Sequence, residues 1–345
     1  MTTSAILMKG EPVRYLVTGA AGFIGSSLAA RLAASGHEVL GIDSFNNYYS
    51  PELKRLRKEK LLDPLGVKIQ EFDLCNLNLT ISAVRNFKPD SIFHLAAQPG
   101  VRIPLGSSNL YVQNNLVAHA NILQTAVEFE VPNFLYASSS SVYGNSTADT
   151  FSEDDNSIQP ISIYGATKLA NEILTPTFVK RSTTRARGLR FFTVYGPWGR
   201  PDMAYFRLIE AAINGTHFTK FGGGEVKRDF TFIDDITSMI RSLDKQLSET
   251  PAGYSDVVNI GGGKPHSLND LIEIIATKSD SKLNLEVADG NPNDTNYTSA
   301  DVGKLIKLVG EKPEVNLDSG VTRTFDWARQ PDVRQHLLKW IKSTI

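Results

Sequence analysis

The chain has 345 residues, 41% of them hydrophobic and 21% charged, enough to bury a full core in two lobes. A net charge of −1 argues against a nucleic-acid platform, although a small anionic ligand needs only local positive groups. The single cysteine, Cys75, excludes an intramolecular disulfide and a thiolate metal cluster; the six histidines show no ligand-like spacing, so no metal is expected.

Met1 to Pro12 has only a short apolar stretch, too short for a signal sequence, and no stretch reaches the length of a membrane span. The expectation is a soluble cytoplasmic protein. From Val13 onward, short β-rich runs alternate with longer helical ones. Arg14–Thr18 reads as a buried strand, followed by a helix through Ser27 to Ser35. Val39–Asp43, Val67–Phe72 and Ser91–Leu95 read as the next three strands. The spacing then predicts a long helix from about Leu110 to Phe129, a strand at Asn133–Ser138, a helix at Tyr164–Val179 and a strand at Gly188–Val194. Such alternation implies right-handed crossovers and a parallel sheet covered on both faces.

After Tyr195, glycine- and proline-rich pieces separate shorter elements, so a second lobe is expected from about residue 190. Val257–Ile260 is apolar enough to return as one more sheet strand. The predicted fold class is therefore α/β: a doubly wound parallel sheet of Rossmann type over residues 1–189, with 229–262 partly returning to it, and a smaller C-terminal substrate-binding α/β lobe over 190–345. The charged stretch Lys54-Arg55-Leu56-Arg57-Lys58-Glu59-Lys60 reads as a solvated helix face.

Gly19-Ala20-Ala21-Gly22-Phe23-Ile24-Gly25 sits between the first strand and its helix, with Asp43 at the end of the next strand. That context turns a weak glycine pattern into a dinucleotide-site prediction. Gly19 and Gly22 let backbone approach a pyrophosphate, Gly25 lets helix and strand pack, and the helix N-terminus offers free N–H groups. Asp43 would accept hydrogen bonds from ribose hydroxyls and repel a 2′-phosphate, which favours NAD over NADP. Asp73, after the third strand, is a candidate adenine contact, with Leu74 beside it.

Tyr164-Gly165-Ala166-Thr167-Lys168 places a phenol and an ammonium one helical turn apart, roughly 6 Å along the axis. A tyrosine is a poor base at neutral pH, but a nearby ammonium favours phenolate. Tyr164 could then take a proton from a sugar hydroxyl while hydride leaves the same carbon for NAD. The strand before Ser138-Ser139-Ser140-Ser141-Val142-Tyr143-Gly144 ends where a hydroxyl could share that proton.

Together with His94-Leu95-Ala96-Ala97-Gln98 and Arg228-Asp229-Phe230-Thr231-Phe232-Ile233-Asp234-Asp235-Ile236, these motifs resemble the extended short-chain dehydrogenase/reductase family across nearly the whole chain. Within it, Asp43–Tyr49, Gln98–Arg102 and Phe192–Ala204 are most similar to UDP-glucuronate 4-epimerases. The resemblance implies that Ser139 is the proton-sharing hydroxyl, Tyr164 the base, and Lys168 its electrostatic partner and a ribose ligand. It implies that Phe23, Ile24, Ala96 and Asn115 join the cofactor contacts. Ser140, Ser141, Thr193 and Arg200 would hold a C6 carboxylate, Arg228 the UDP diphosphate, and Arg102 and Asp294 would lie near the substrate. Pro99, Ile103-Pro104 and Asn293-Asp294-Thr295 depart from the pattern around the loop after Arg102 and the uridine end.

The implied reaction interconverts UDP-glucuronate and UDP-galacturonate through a transient 4-keto sugar with recycled NAD. Dehydratase relatives need an acid in the serine segment, and Ser140 and Ser141 supply none. UDP-glucose 4-epimerase, UDP-glucuronate decarboxylase and a non-catalytic NAD-sensing binding protein remain as alternatives. A homodimer through the helices around 110–129 and 164–179 is a further implication of the resemblance.

Overall fold

The computed structural model describes residues 12–100, 106, 108–146, 148–155, 158–279, 282–289 and 297–343. Seven strands form one sheet: β1 (Arg14–Thr18), β2 (Glu38–Asp43), β3 (Lys68–Glu71), β4 (Ser91–His94), β5 (Asn133–Ser139), β6 (Arg185–Phe191) and, from much later in the chain, β10 (Ser255–Ile260). Their order is β10-β6-β5-β4-β1-β2-β3, and all the pairings are parallel.

Side chains alternate along each strand, so the sheet feeds two cores. Leu16, Ile92 and Phe134 enter a layer with Val84 of the helix Leu77–Phe87 and Ile122 of the helix Ala118–Glu128. Tyr15, Val17 and Phe93 enter the other, with Leu28 and Leu32 of the helix Phe23–Ala34 and Ile236 and Ile240 of the helix Ile233–Leu247. The strand order reverses between β4 and β1, which is where an open α/β sheet binds ligands at its carboxyl edge.

The run predicted as one strand over Gly188–Val194 is two. It breaks at Phe192, whose N–H donates to Ile260 O at 3.1 Å. β7 (Thr193–Tyr195) then leaves the large sheet to pair with β9 (Lys227–Phe232), which pairs in turn with β11 (Pro265–Ser267). A two-stranded ribbon of β8 (His217–Phe221) and β12 (Asn284–Ala288) lies apart. This local break carries Thr193 off the sheet edge and across to face it. No helix among the described residues is long and apolar enough to cross a membrane.

The basic stretch is not a solvated face. Lys54 is 5% exposed and Arg57 fully buried, on one side of the helix Pro51–Arg57, while Arg55, Glu59 and Lys60 face solvent. The structure separates the residues that the charge pattern groups together.

Candidate active site

A cleft of about 850 Å³ runs along the carboxyl edge of the large sheet, walled opposite by β7–β9 and the loop around Arg200. Gly19, Gly22, Phe23, Ile24, Gly25, Asp43, Asp73, Leu74 and Ala96 all line it. Gly19 has φ +69°, and a Cβ there would stand 2.8 Å from Ala96 N, so the turn after β1 presses directly against the segment after β4. A Cβ on Gly25 would collide with the Gly19 carbonyl oxygen. Only glycine leaves this cradle open to a dinucleotide backbone. The residues therefore fit the predicted cofactor.

Asp43 does more than wait for a ribose. Its Oδ2 accepts from Ala21 N–H at 2.9 Å and its Oδ1 from Phe45 N–H at 2.8 Å, fastening the glycine turn to the end of β2. Asp73 accepts from Cys75 N–H at 2.8 Å. Burial and that aspartate push the Cys75 thiol up to about 11, which makes it a poor nucleophile. Asn115 does not line the cleft. It lies in a wide π-helical turn, Val112–Val117, with Oδ1 accepting from Gln98 N–H at 2.7 Å and Nδ2 donating to Gln98 O and Thr167 Oγ1. Its amide is spent on clamping the strand end that bears Ala96.

The helix Ile163–Val179 starts where the Ser162 hydroxyl accepts from Gly165 N–H at 3.0 Å, a cap that fixes the first turn and so the direction of Tyr164. Tyr164, Lys168, Ser139, Ser140 and Ser141 share the cleft wall. The Ser139 hydroxyl donates to Ser141 Oγ at 3.1 Å and stands close enough to the Tyr164 phenol to influence its ionisation. Lys168 Nζ donates to Ala137 O at 2.9 Å and lies 5.8 Å from the Tyr164 ring centre.

The electrostatics differ from the expected pattern. Burial raises the Tyr164 pKa, and the opposing influences are the Arg200 guanidinium and the Ser139 hydrogen bond rather than Lys168. Burial likewise pushes the Lys168 ammonium down to about 8, with Glu172, one turn further along, acting in the other direction. Burial therefore favours the neutral phenol in the ligand-free protein, with the Arg200 guanidinium acting the other way.

Thr193, Arg200 and Arg228 line the facing wall. Arg200 does not stand ready as an unengaged fork. Its Nε donates to Asp202 Oδ1 at 3.0 Å and its Nη2 to Asp202 Oδ2, while Tyr48 OH donates to the same carboxylate at 3.4 Å. Asp202 and Tyr48 thus belong to the site, and sequence reasoning missed both roles; only the Arg200-x-Asp202 spacing could have signalled the pair. Lys54 also lines the cleft, its Nζ donating to Asn46 O at 2.6 Å and Oδ1 at 2.7 Å. Arg228 extends from β9 with Nη1 donating to Lys227 O at 3.0 Å. Arg102 and Asp294 lie outside the described residues.

A family model described as the NAD dependent epimerase/dehydratase family matches residues 15–261. Protein CapI of Staphylococcus aureus is 38% identical over 331 residues, covering 91% of this chain and 98% of its own. UDP-glucuronate 4-epimerase 4 of Arabidopsis thaliana is 38% identical over 329 residues, 91% of this chain and 75% of that one. The crystal structure of UDP-glucuronic acid 4-epimerase from Bacillus cereus with UDP-glucuronic acid and NAD superposes with a TM-score of 0.83 at 33% identity, covering 93% of this chain and 99% of that one. The cradle that admits no Cβ and the carboxylate that steadies it thus have a named owner: this chain belongs to the NAD-dependent epimerase/dehydratase family, and its cofactor is NAD.

Proposed function

We propose that the chain is a UDP-sugar 4-epimerase that interconverts UDP-glucuronate and UDP-galacturonate. The observation that carries this reading is that one cleft holds Tyr164 together with the hydroxyls of Ser140 and Ser141 on its own wall and of Thr193, with the Arg200 guanidinium, on the facing wall. Such donors make charge-assisted hydrogen bonds to a carboxylate. Nε and Nη2 of Arg200 are held by Asp202, so in this reading Nη1 is the edge that meets the carboxylate. No carboxylate occurs from Ser139 to Gly144, so the second acid needed to eliminate water from C5–C6 is missing there.

When bound, NAD takes up and returns a hydride at the sugar's C4. Tyr164 removes the C4 hydroxyl proton, Ser139 shares it, and Lys168 holds its charge one turn away. Arg228 anchors the diphosphate while the sugar ring turns to present its other face. A 4-keto uronate loses CO₂ readily once its carboxylate aligns with the developing enolate, and the hydroxyl-guanidinium cradle keeps it out of that alignment. The same reading includes a homodimer through the helices around 110–129 and 164–179.

The test is kinetic. Thr193→Val and Arg200→Ala each lose a hydrogen bond to an ion, worth about 1.5–3 kcal/mol, so KM for UDP-glucuronate should rise by roughly ten- to a hundredfold. Inhibition by UDP alone, which has no carboxylate, should change less than about threefold. An unchanged KM in both variants would refute the uronate reading in favour of an uncharged sugar.

A further inference from the structure

Arg57, the last residue of the helix Pro51–Arg57, has no exposed surface, and among the described residues no carboxylate forms an ion pair with it. Its guanidinium donates to four neutral acceptors that belong to different parts of the cleft. Nη1 reaches Ala21 O at 3.1 Å, inside the glycine turn, and Tyr49 OH at 2.6 Å. Nε reaches Trp198 O at 2.9 Å, and Nη2 reaches Gly199 O at 2.9 Å. The next residue is Arg200.

Each end of this set of contacts is itself constrained. Trp198 has φ +64°, a left-handed conformation that a bulky residue keeps only when its surroundings impose it. Its carbonyl is one of those Arg57 holds. At the other end, Ala21 N–H is bonded to Asp43, so a single chain of contacts runs from Asp43 through Ala21 and Arg57 to the Trp198–Gly199 peptide and on to Arg200.

We propose that Arg57 is a positioning residue that sets the spacing between the NAD-binding turn and the loop bearing Arg200, so that cofactor and UDP-sugar are gripped in register. The proposal rests on reading Thr193–Arg200 as the sugar end of the cleft. A buried cation without a counter-ion is costly, and lysine could not serve instead, because a point ammonium lacks the planar fork that reaches both sides at once.

The holoenzyme variants Arg57→Lys and Arg57→Gln test it; the second carries no charge to desolvate and guards against a variant that fails merely because its cation is misplaced. The expected result is a folded, NAD-bound protein whose KM for the UDP-sugar it turns over rises about tenfold and whose kcat falls about tenfold or more, because hydride donor and acceptor lose their register. Near-UV circular dichroism should change as well, because Trp198 and Trp327, with ring centres 5.3 Å apart, are two of only three tryptophans and report the loop directly. A folded variant with KM within twofold of the parent and an unaltered tryptophan signal would overturn the proposal. So would failure of both variants to fold, which would assign Arg57 to stability alone. KM is read on whichever UDP-sugar the parent enzyme accepts, so a failure of the uronate assignment shows in the parent and leaves this comparison intact.

Discussion

Single residues divide into those whose chemistry is written in a local pattern and those defined by distant partners. Helix spacing made Tyr164 and Lys168 legible as neighbours and the strand end pointed to the serine run, within which the family resemblance singled out Ser139. Asp43 lines the cleft as expected and Asn115 does not; the hydrogen bonds that each makes, to Ala21 and to Gln98, are set by tertiary packing and were not legible. The same limit hid His94 and His119. These are buried with ring centres 5.3 Å apart, and their polar bonds go to Thr18 and Thr175. Burial pushes His94 down to about 3 and His119 well below its usual range. Both are neutral in the folded protein, whereas the unfolded chain protonates them below about pH 6.5. The unfolded state therefore binds more protons in that window, and stability falls as pH drops from 6.5 toward 3. Each histidine should cost about 2 kcal/mol between pH 7 and pH 5. Urea unfolding of His119→Gln at both pH values should show a loss smaller than the parent's by about that amount; parallel losses would contradict the assignment.

At the scale of elements, periodicity located every strand of the large sheet to within a few residues but ran two strands together at Phe192. Nothing in the stretch Leu189–Val194 marks the exit, because Leu189, Phe191, Phe192 and Val194 on both sides of the break are buried; the signal is the pairing of β7 with β9, separated by more than thirty residues. The charge run at Lys54–Lys60 misled for a related reason. A basic helix face is solvated unless carbonyl oxygens are brought to it, and here they come from Ala21, Trp198 and Gly199. The proposed dimer also belongs to this scale. Ile173 is 65% exposed on the helix Ile163–Val179 and Leu110 is 48% exposed on the neighbouring helical segment, an apolar pair open to solvent. Ile173→Glu should convert a dimer to a monomer in sedimentation equilibrium, because a buried unpaired carboxylate opposes association. A wild-type monomer, or a variant that sediments identically, would remove the proposal.

For the whole molecule, the decisive feature is that the chain crosses from the large sheet to the second wall and back again. Phe191 ends β6 in the sheet, Thr193 begins the facing wall two residues later, and β10 returns to the sheet beside β6. Tyr164 and the serine segment are thereby mounted on one wall of the cleft and Thr193 and Arg200 on the other, while Arg57 ties the glycine turn to the loop before Arg200. The predicted alternation of strands and helices conveyed the first wall; the second was legible only as a change of texture with a few motif residues. All of this serves one chemical claim, that the phenol of Tyr164 takes the proton from the C4 hydroxyl of a bound UDP-uronate. The most direct measurement is NMR of the sugar after incubation of the parent holoenzyme and of Tyr164→Phe with UDP-glucuronate. The parent should convert it to UDP-galacturonate without net consumption of NAD, and the phenylalanine variant should be slower by about a hundredfold or more. Equal rates in the two proteins, or no C4 epimer from the parent, would contradict the account.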